Sequence, residues 1–95
     1  MSLEIERNAE KLALCGRLDT ATAPMFEQAL DGVIARGEAV TLDMSRLEYV
    51  SSAGLRVLLK AYKALGEGLR LVNVGESVME VLEITGFTEF LAIDE

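Results

Sequence analysis

Leu42-Asp43-Met44-Ser45-Arg46-Leu47-Glu48-Tyr49-Val50-Ser51-Ser52-Ala53-Gly54-Leu55-Arg56-Val57-Leu58-Leu59 changes its hydrophobic period partway along. Val40, Leu42 and Met44 alternate with Thr41 and Asp43, the pattern of a strand with one buried face. Leu55, Leu58, Leu59 and Tyr62 then recur at helical spacing, so they share one stripe of an α-helix. The period switches across Ser51-Ser52-Ala53-Gly54, which places both serines where a strand hands over to a helix N-terminus. Leu47 and Tyr49 are expected to anchor the intervening connection to the core. The first N–H groups of a helix lack intrahelical partners, and the helix dipole is positive there. A serine at that point caps the helix, or, carrying a phosphate, offers new acceptor oxygens to the same donors. The pattern alone leaves both readings open. Small Ala53 and Gly54 are expected to leave room for another protein to approach.

Before this stretch, Leu3 to Arg7 alternates apolar and charged residues, as an edge strand with one wet face does. Asn8-Ala9-Glu10 is short enough for a hairpin turn, and Lys11 to Cys15 reads as a more buried antiparallel partner. Gly16-Arg17-Leu18-Asp19 is expected to leave that strand, and Asp19 suits the closing of a turn. Thr22 is a plausible N-cap, with Pro24 tolerated in the first helical turn. Phe26, Ala29, Leu30, Val33 and Ile34 form the apolar stripe of that helix, and Gly37 ends it. Asp43 is either solvent-facing or an acceptor for N–H groups near Ser45.

Beyond the opening stretch, the second helix runs from about Ser52 to Leu65 and carries Arg56, Lys60 and Lys63 on its outer side. Gly66-Glu67-Gly68 ends it; the pair lacks a third glycine and precedes a strand, so it is no dinucleotide loop. Leu69 to Val74 reads as a strand near the sheet centre. A third helix, with Val78, Val81 and Leu82 inward, closes at Thr85-Gly86-Phe87, and Phe90 to Ile93 reads as the last strand. Alternating strands and helices favour parallel strands with right-handed crossovers. The expected fold is therefore a single α/β domain over residues 1–95. It has a mixed, mostly parallel sheet of about five strands, an antiparallel N-terminal strand and three main helices.

Composition limits the function. The chain has 95 residues, a formal net charge of −7 and no histidine. The acidic balance argues against nucleic acid and against an anionic membrane surface. No apolar run is long enough for a membrane span, and no signal peptide opens the chain. Met1-Ser2-Leu3 is compatible with a cloning remnant. Cys15, the single cysteine, is read as a buried small hydrophobe, and a lone cysteine fits a reducing cytoplasm. Without histidine there is no histidine-based proton transfer or metal ligation. No Walker A loop, cysteine pair or Gly-x-Ser-x-Gly elbow is present. These features point to a binding module rather than an enzyme, with no catalytic residue, metal ligand or cofactor expected. An acidic, patch-poor surface is compatible with a free monomer.

The runs Leu42-Asp43-Met44-Ser45 and Tyr49-Val50-Ser51-Ser52-Ala53-Gly54-Leu55, with Gly16-Arg17-Leu18-Asp19 upstream and Gly86-Phe87 downstream, resemble the STAS family of anti-sigma factor antagonists. The resemblance spans almost the whole chain. It implies that Ser52, two residues before Gly54, is phosphorylated by a partner kinase. It also implies a partner-binding surface made of Asp19, Thr20, Ser51, Ala53, Gly54 and Leu55. The implied partner is an anti-sigma factor that is also a serine kinase, with a phosphatase to reset the switch. The family often has aspartate where this chain has Ser51, so the site lacks that carboxylate and carries two adjacent hydroxyls. Many members continue into one more helix that this sequence lacks, so the domain is expected to be shortened at its C-terminus. Two other roles fit the same resemblance. One is a non-phosphorylated STAS subunit of a stress-signalling assembly or lipid-transport ATPase. The other is a nucleotide-binding protein that uses the helix N-terminus as an anion site.

Overall fold

The computed structural model describes residues 3–94; Met1 and Ser2, part of the suspected cloning remnant, and Glu95 lie outside the described residues. The elements, in order, are β1 (Leu3–Asn8), β2 (Lys11–Leu18), α1 (Ala23–Arg36), β3 (Val40–Val50), α2 (Ser52–Leu65), β4 (Leu69–Val72), α3 (Glu76–Ile84) and β5 (Ala92–Asp94). Short 3-10 turns at Gly66–Gly68 and Phe87–Glu89 join α2 to β4 and α3 to β5. The five strands pair in chain order; β1 is antiparallel to β2 and the rest are parallel.

This sequential order explains the layering. Each parallel strand is added on the same side of the last, so crossovers of one hand put every helix on one face. Register confirms it: Ile5↔Leu14, Leu12↔Leu42 and Leu42↔Leu71 line up across four strands on the covered face. There the leucines join Phe26, Leu30 and Val33 of α1, Leu55, Val57 and Leu58 of α2, and Val78 and Leu82 of α3 in one buried cluster, with half-buried Ile5 packed against it. The opposite face is wet. It carries Cys15 between Glu4 and Arg46, and the exposed ion pairs Arg46–Glu6 (3.7 Å) and Arg70–Asp94 (2.6 Å). Cys15 is thus half-buried on the solvent side rather than a core hydrophobe, because Leu12, Leu14 and Leu18 take the inward positions of β2.

The largest departure from expectation is β3. It does not give way to a connection after Met44 but continues to Val50. Three residues of β2 (Ala13 to Cys15) oppose four of β3 (Asp43 to Arg46), and the two residues Gly16 and Arg17 oppose the three from Leu47 to Tyr49. Each irregularity inserts one extra residue into β3, as a β-bulge does. The inward positions therefore become Met44, Leu47 and Val50, spaced by three, and the alternation of a regular strand is lost. Asp43 supports the first bulge: its Oδ1 accepts from the Ser45 N–H at 3.0 Å and from Asn73 Nδ2 at 3.3 Å. Leu47 is buried as expected, but Tyr49 is 39% exposed and lies under the Arg17 guanidinium, 4.3 Å from the ring centroid.

Smaller corrections follow the same logic. β2 continues through Gly16 and Arg17 to Leu18 because β3 pairs with it that far. β4 stops at Val72, where Asn73 adopts φ 56, and β5 begins only at Ala92 because Phe90 closes the preceding 3-10 turn. The inward stripe of α2 is centred on Gly54, Leu55, Val57, Leu58 and Ala61; Leu59 and Tyr62 sit at its half-buried margin. Thr22 holds the N-cap position of α1 but makes no side-chain cap, since its hydroxyl donates to the Arg17 carbonyl at 2.8 Å. Gly37 ends α1 in the left-handed conformation, its N–H meeting the Ile34 carbonyl at 3.0 Å.

Candidate functional site

β2 and β3 are parallel neighbours, so the loops leaving their C-terminal ends lie side by side. Leu18 pairs with Val50, and the Ser51 N–H donates to the Leu18 carbonyl at 2.8 Å. One loop therefore carries Asp19 and Thr20 into α1, and the adjacent one carries Ser51 and Ser52 into α2.

The Asp19 loop is built from its own hydrogen bonds. Asp19 Oδ1 accepts from the Ala21 and Thr22 N–H groups, both at 3.1 Å, and the Asp19 N–H donates to Thr22 Oγ1 at 2.9 Å. These bonds hold the Asp19 carboxyl below the usual carboxylate range: the Thr22 N–H is the main cause, desolvation opposes it, and the Thr22 hydroxyl, Ala21 N–H and Arg17 charge assist. Asp19 thus shapes its turn, as a residue of this type commonly does, and Thr20 is exposed beside it.

The two serines divide their work. Ser51 is the N-cap of α2: it has extended backbone (φ −96, ψ 175), and its Oγ accepts from the Gly54 N–H at 3.4 Å. Its carbonyl takes the Leu55 N–H at 2.9 Å, and the residue is half-buried. Ser52 is the first helical residue and is exposed. The cap is therefore Ser51, and Ser52 presents its hydroxyl to solvent.

Gly54 and Leu55 do not belong to the outer surface. Gly54 is buried, and a Cβ there would lie 2.6 Å from Leu18 Cγ, 2.9 Å from Leu18 Cδ2 and 3.0 Å from Val50 Cγ2. Its smallness lets α2 approach the ends of β2 and β3; it does not make room for a partner. Leu55 is only 8% exposed and packs inward. The accessible residues are Asp19, Thr20, Ser51, Ser52 and half-buried Ala53.

From this surface a groove of about 320 Å³ runs between α1 and α2, lined by Thr20, Ala23, Pro24, Ala53, Arg56 and Lys60 among others. Lys60 bridges the helices, with Nζ 2.7 Å from Glu27 Oε2 and 3.0 Å from Asp31 Oδ1. The sequence places Lys60 on the outer side of α2 but gives no means of pairing it with Glu27 and Asp31, 33 and 29 positions away in the chain. A wider depression of about 600 Å³ beside α3, with Glu76, Glu80 and Glu83 in its wall, shares no residue with the serine site. Among the described residues no three His, Cys, Asp or Glu side chains are placed to hold a metal, and no helix is long and apolar enough to cross a membrane.

The five-stranded sequential sheet with its three helices on one face matches a STAS fold. The chain belongs to the STAS family: residues 1–92 match the family described as "Mlab, STAS domain". It is 38% identical to the "Putative anti-sigma factor antagonist BtrV" of Bordetella bronchiseptica, covering 98% of this chain and 85% of that protein. It is 29% identical to the anti-sigma-B factor antagonist of Listeria monocytogenes, covering 98% of this chain and 88% of that protein. An anti-sigma factor antagonist from Mycobacterium paratuberculosis superposes with a TM-score of 0.82 at 27% identity, covering 96% of this chain and 82% of that one.

Proposed function

We propose that this chain is an anti-sigma factor antagonist whose binding surface is switched by phosphorylation of Ser52. The observation that carries the reading is the exposed Ser52 hydroxyl at the first position of α2, beside the Asp19–Thr20 loop. The relatives named as antagonists of anti-sigma factors support the partner class. In the unmodified state, Asp19, Thr20, Ser51, Ser52 and Ala53 dock onto an anti-sigma factor that is also a serine kinase, and a sigma factor is released. The kinase then transfers the γ-phosphoryl group of ATP: a bond forms to Ser52 Oγ, ADP departs, and the hydroxyl proton passes to a base of the kinase. A phosphatase reverses the modification by hydrolysis.

The division of labour between the serines supports Ser52 as the acceptor. Ser51 is half-buried and its hydroxyl already accepts from the Gly54 N–H, whereas Ser52 is exposed and its side chain makes no hydrogen bond among the described residues, so Ser52 is the more accessible acceptor. The added dianion must be desolvated in the contact, and a change of about 1.4 kcal/mol already shifts affinity tenfold. The domain need not refold to release its partner.

The test is to incubate the purified chain with its cognate anti-sigma kinase and ATP and to locate phosphate by mass spectrometry. Phosphate on Ser52, lost in Ser52→Ala and kept in Ser51→Ala, is the expected result. Phosphate found only elsewhere, or undiminished in Ser52→Ala, overturns the assignment.

A further inference from the structure

The groove between α1 and α2 opens beside Ser52, and its charged wall is not evenly committed. Lys60 is held by Glu27 and Asp31. Arg56 also lines the groove and is exposed, and among the described residues it makes no ion pair or side-chain hydrogen bond. In a chain of net charge −7, this leaves an uncommitted guanidinium at the surface that the anti-sigma factor is proposed to cover. Arg56 follows Ser52 by four residues on α2, so the two side chains are neighbours on one helix face, with Cβ atoms about 5–6 Å apart.

We propose that Arg56 is the specificity and switching residue of this surface: unmodified, it pairs with a carboxylate of the anti-sigma partner at the α1–α2 groove, and phosphate on Ser52 captures it. This rests on the function proposed above and adds the chemistry by which release occurs. The guanidinium presents donors in a fork that matches carboxylate and phosphate oxygens alike, so the two compete for the same group. A dianion held by Arg56 both removes the partner's counter-charge and repels the partner's carboxylate.

Two measurements test it, both on the intact chain. In the first, phosphoserine is installed at residue 52 during translation and its second ionisation is followed by ³¹P NMR. A nearby cation favours the dianion, so that pKa is expected to rise in Arg56→Gln and to stay close to the unsubstituted value in Arg56→Lys. In the second, calorimetry measures binding of the unmodified chain to its cognate anti-sigma factor. Arg56→Gln should weaken binding about tenfold, Arg56→Lys should restore part of it, and added salt should narrow the difference. Thermal melts of the variants confirm that each remains folded. A phosphate pKa indifferent to Arg56→Gln, or binding by Arg56→Gln equal to that of the unsubstituted chain, overturns the proposal while leaving phosphorylation of Ser52 intact. Failure of the unsubstituted chain to bind the anti-sigma factor defeats the proposed function, and this inference with it.

Discussion

Adding one methyl group at Gly54 probes how the serine turn is held in place. The Cβ of Gly54→Ala would meet Leu18 Cγ at 2.6 Å, Leu18 Cδ2 at 2.9 Å and Val50 Cγ2 at 3.0 Å, all shorter than ordinary carbon contacts. Leu18 and Val50 are 0% and 3% exposed, so neither has solvent to move into. Overpacking of this kind costs about 1–3 kcal/mol. With three contacts this short the upper part of that range applies, about 2–3 kcal/mol, and alanine recovers at most about 1 kcal/mol of helix propensity, which leaves a net loss of about 1–2 kcal/mol. For a domain of this size that lowers Tm by roughly 4–16 °C. Circular-dichroism melts and urea titrations read the change directly. Removing the obstructing side chain supplies the control: in a Leu18→Ala background the same substitution should cost nothing or stabilise, a strong departure from additivity. A Gly54→Ala variant as stable as the parent, or equally costly in both backgrounds, would refute the view that Gly54 exists for this close approach.

Two further predictions concern the same turn. Ser51→Ala should destabilise the domain by about 0.5–1 kcal/mol in urea titrations, the lower part of the capping range because the Ser51–Gly54 bond is long at 3.4 Å. Ser51→Asp should instead raise stability, because a charged acceptor strengthens the cap and complements the helix dipole. Asp19→Asn tests the charged turn. The Asp19 pKa is depressed in the folded state, so its stabilisation is fully present above the unfolded-state pKa near about 4 and is lost as pH falls through the lower folded value. The stability gap between parent and Asp19→Asn should therefore be widest above about pH 4 and close on further acidification; a gap that widens with acid would contradict the assigned cause.

Much of the architecture could be read from the sequence because its periods are clean. Phe26, Leu30 and Val33 mark α1, and Gly37 stops it in the conformation that glycine favours. The bounds Ser52–Leu65 of α2 were legible for the same reason. β3 was not, because two bulges turn the inward spacing from two to three at Met44, Leu47 and Val50, and no local pattern distinguishes this from a connecting loop. The wet back of the sheet, and with it the position of Cys15, depends on all helices lying on one side, which is a property of strand order. At the site, the serine pair and Asp19 stood out by resemblance, but the roles of Ser51, Gly54 and Leu55 did not. Capping, close packing against Leu18 and inward burial are relations between elements that only the folded chain displays. Arg56 carried one local signal, its four-residue spacing from Ser52, whereas the commitment of Lys60 to Glu27 and Asp31 required the packed α1–α2 pair.

The switch at Ser52 is tested most directly by comparing two forms of one chain. The unmodified protein and the protein carrying phosphoserine at residue 52 are titrated calorimetrically against the cognate anti-sigma factor, with melts run in parallel. The phosphate should weaken binding at least tenfold, about 1.4 kcal/mol, with the fold retained. Equal affinity of the two forms would contradict a phosphorylation switch at this surface.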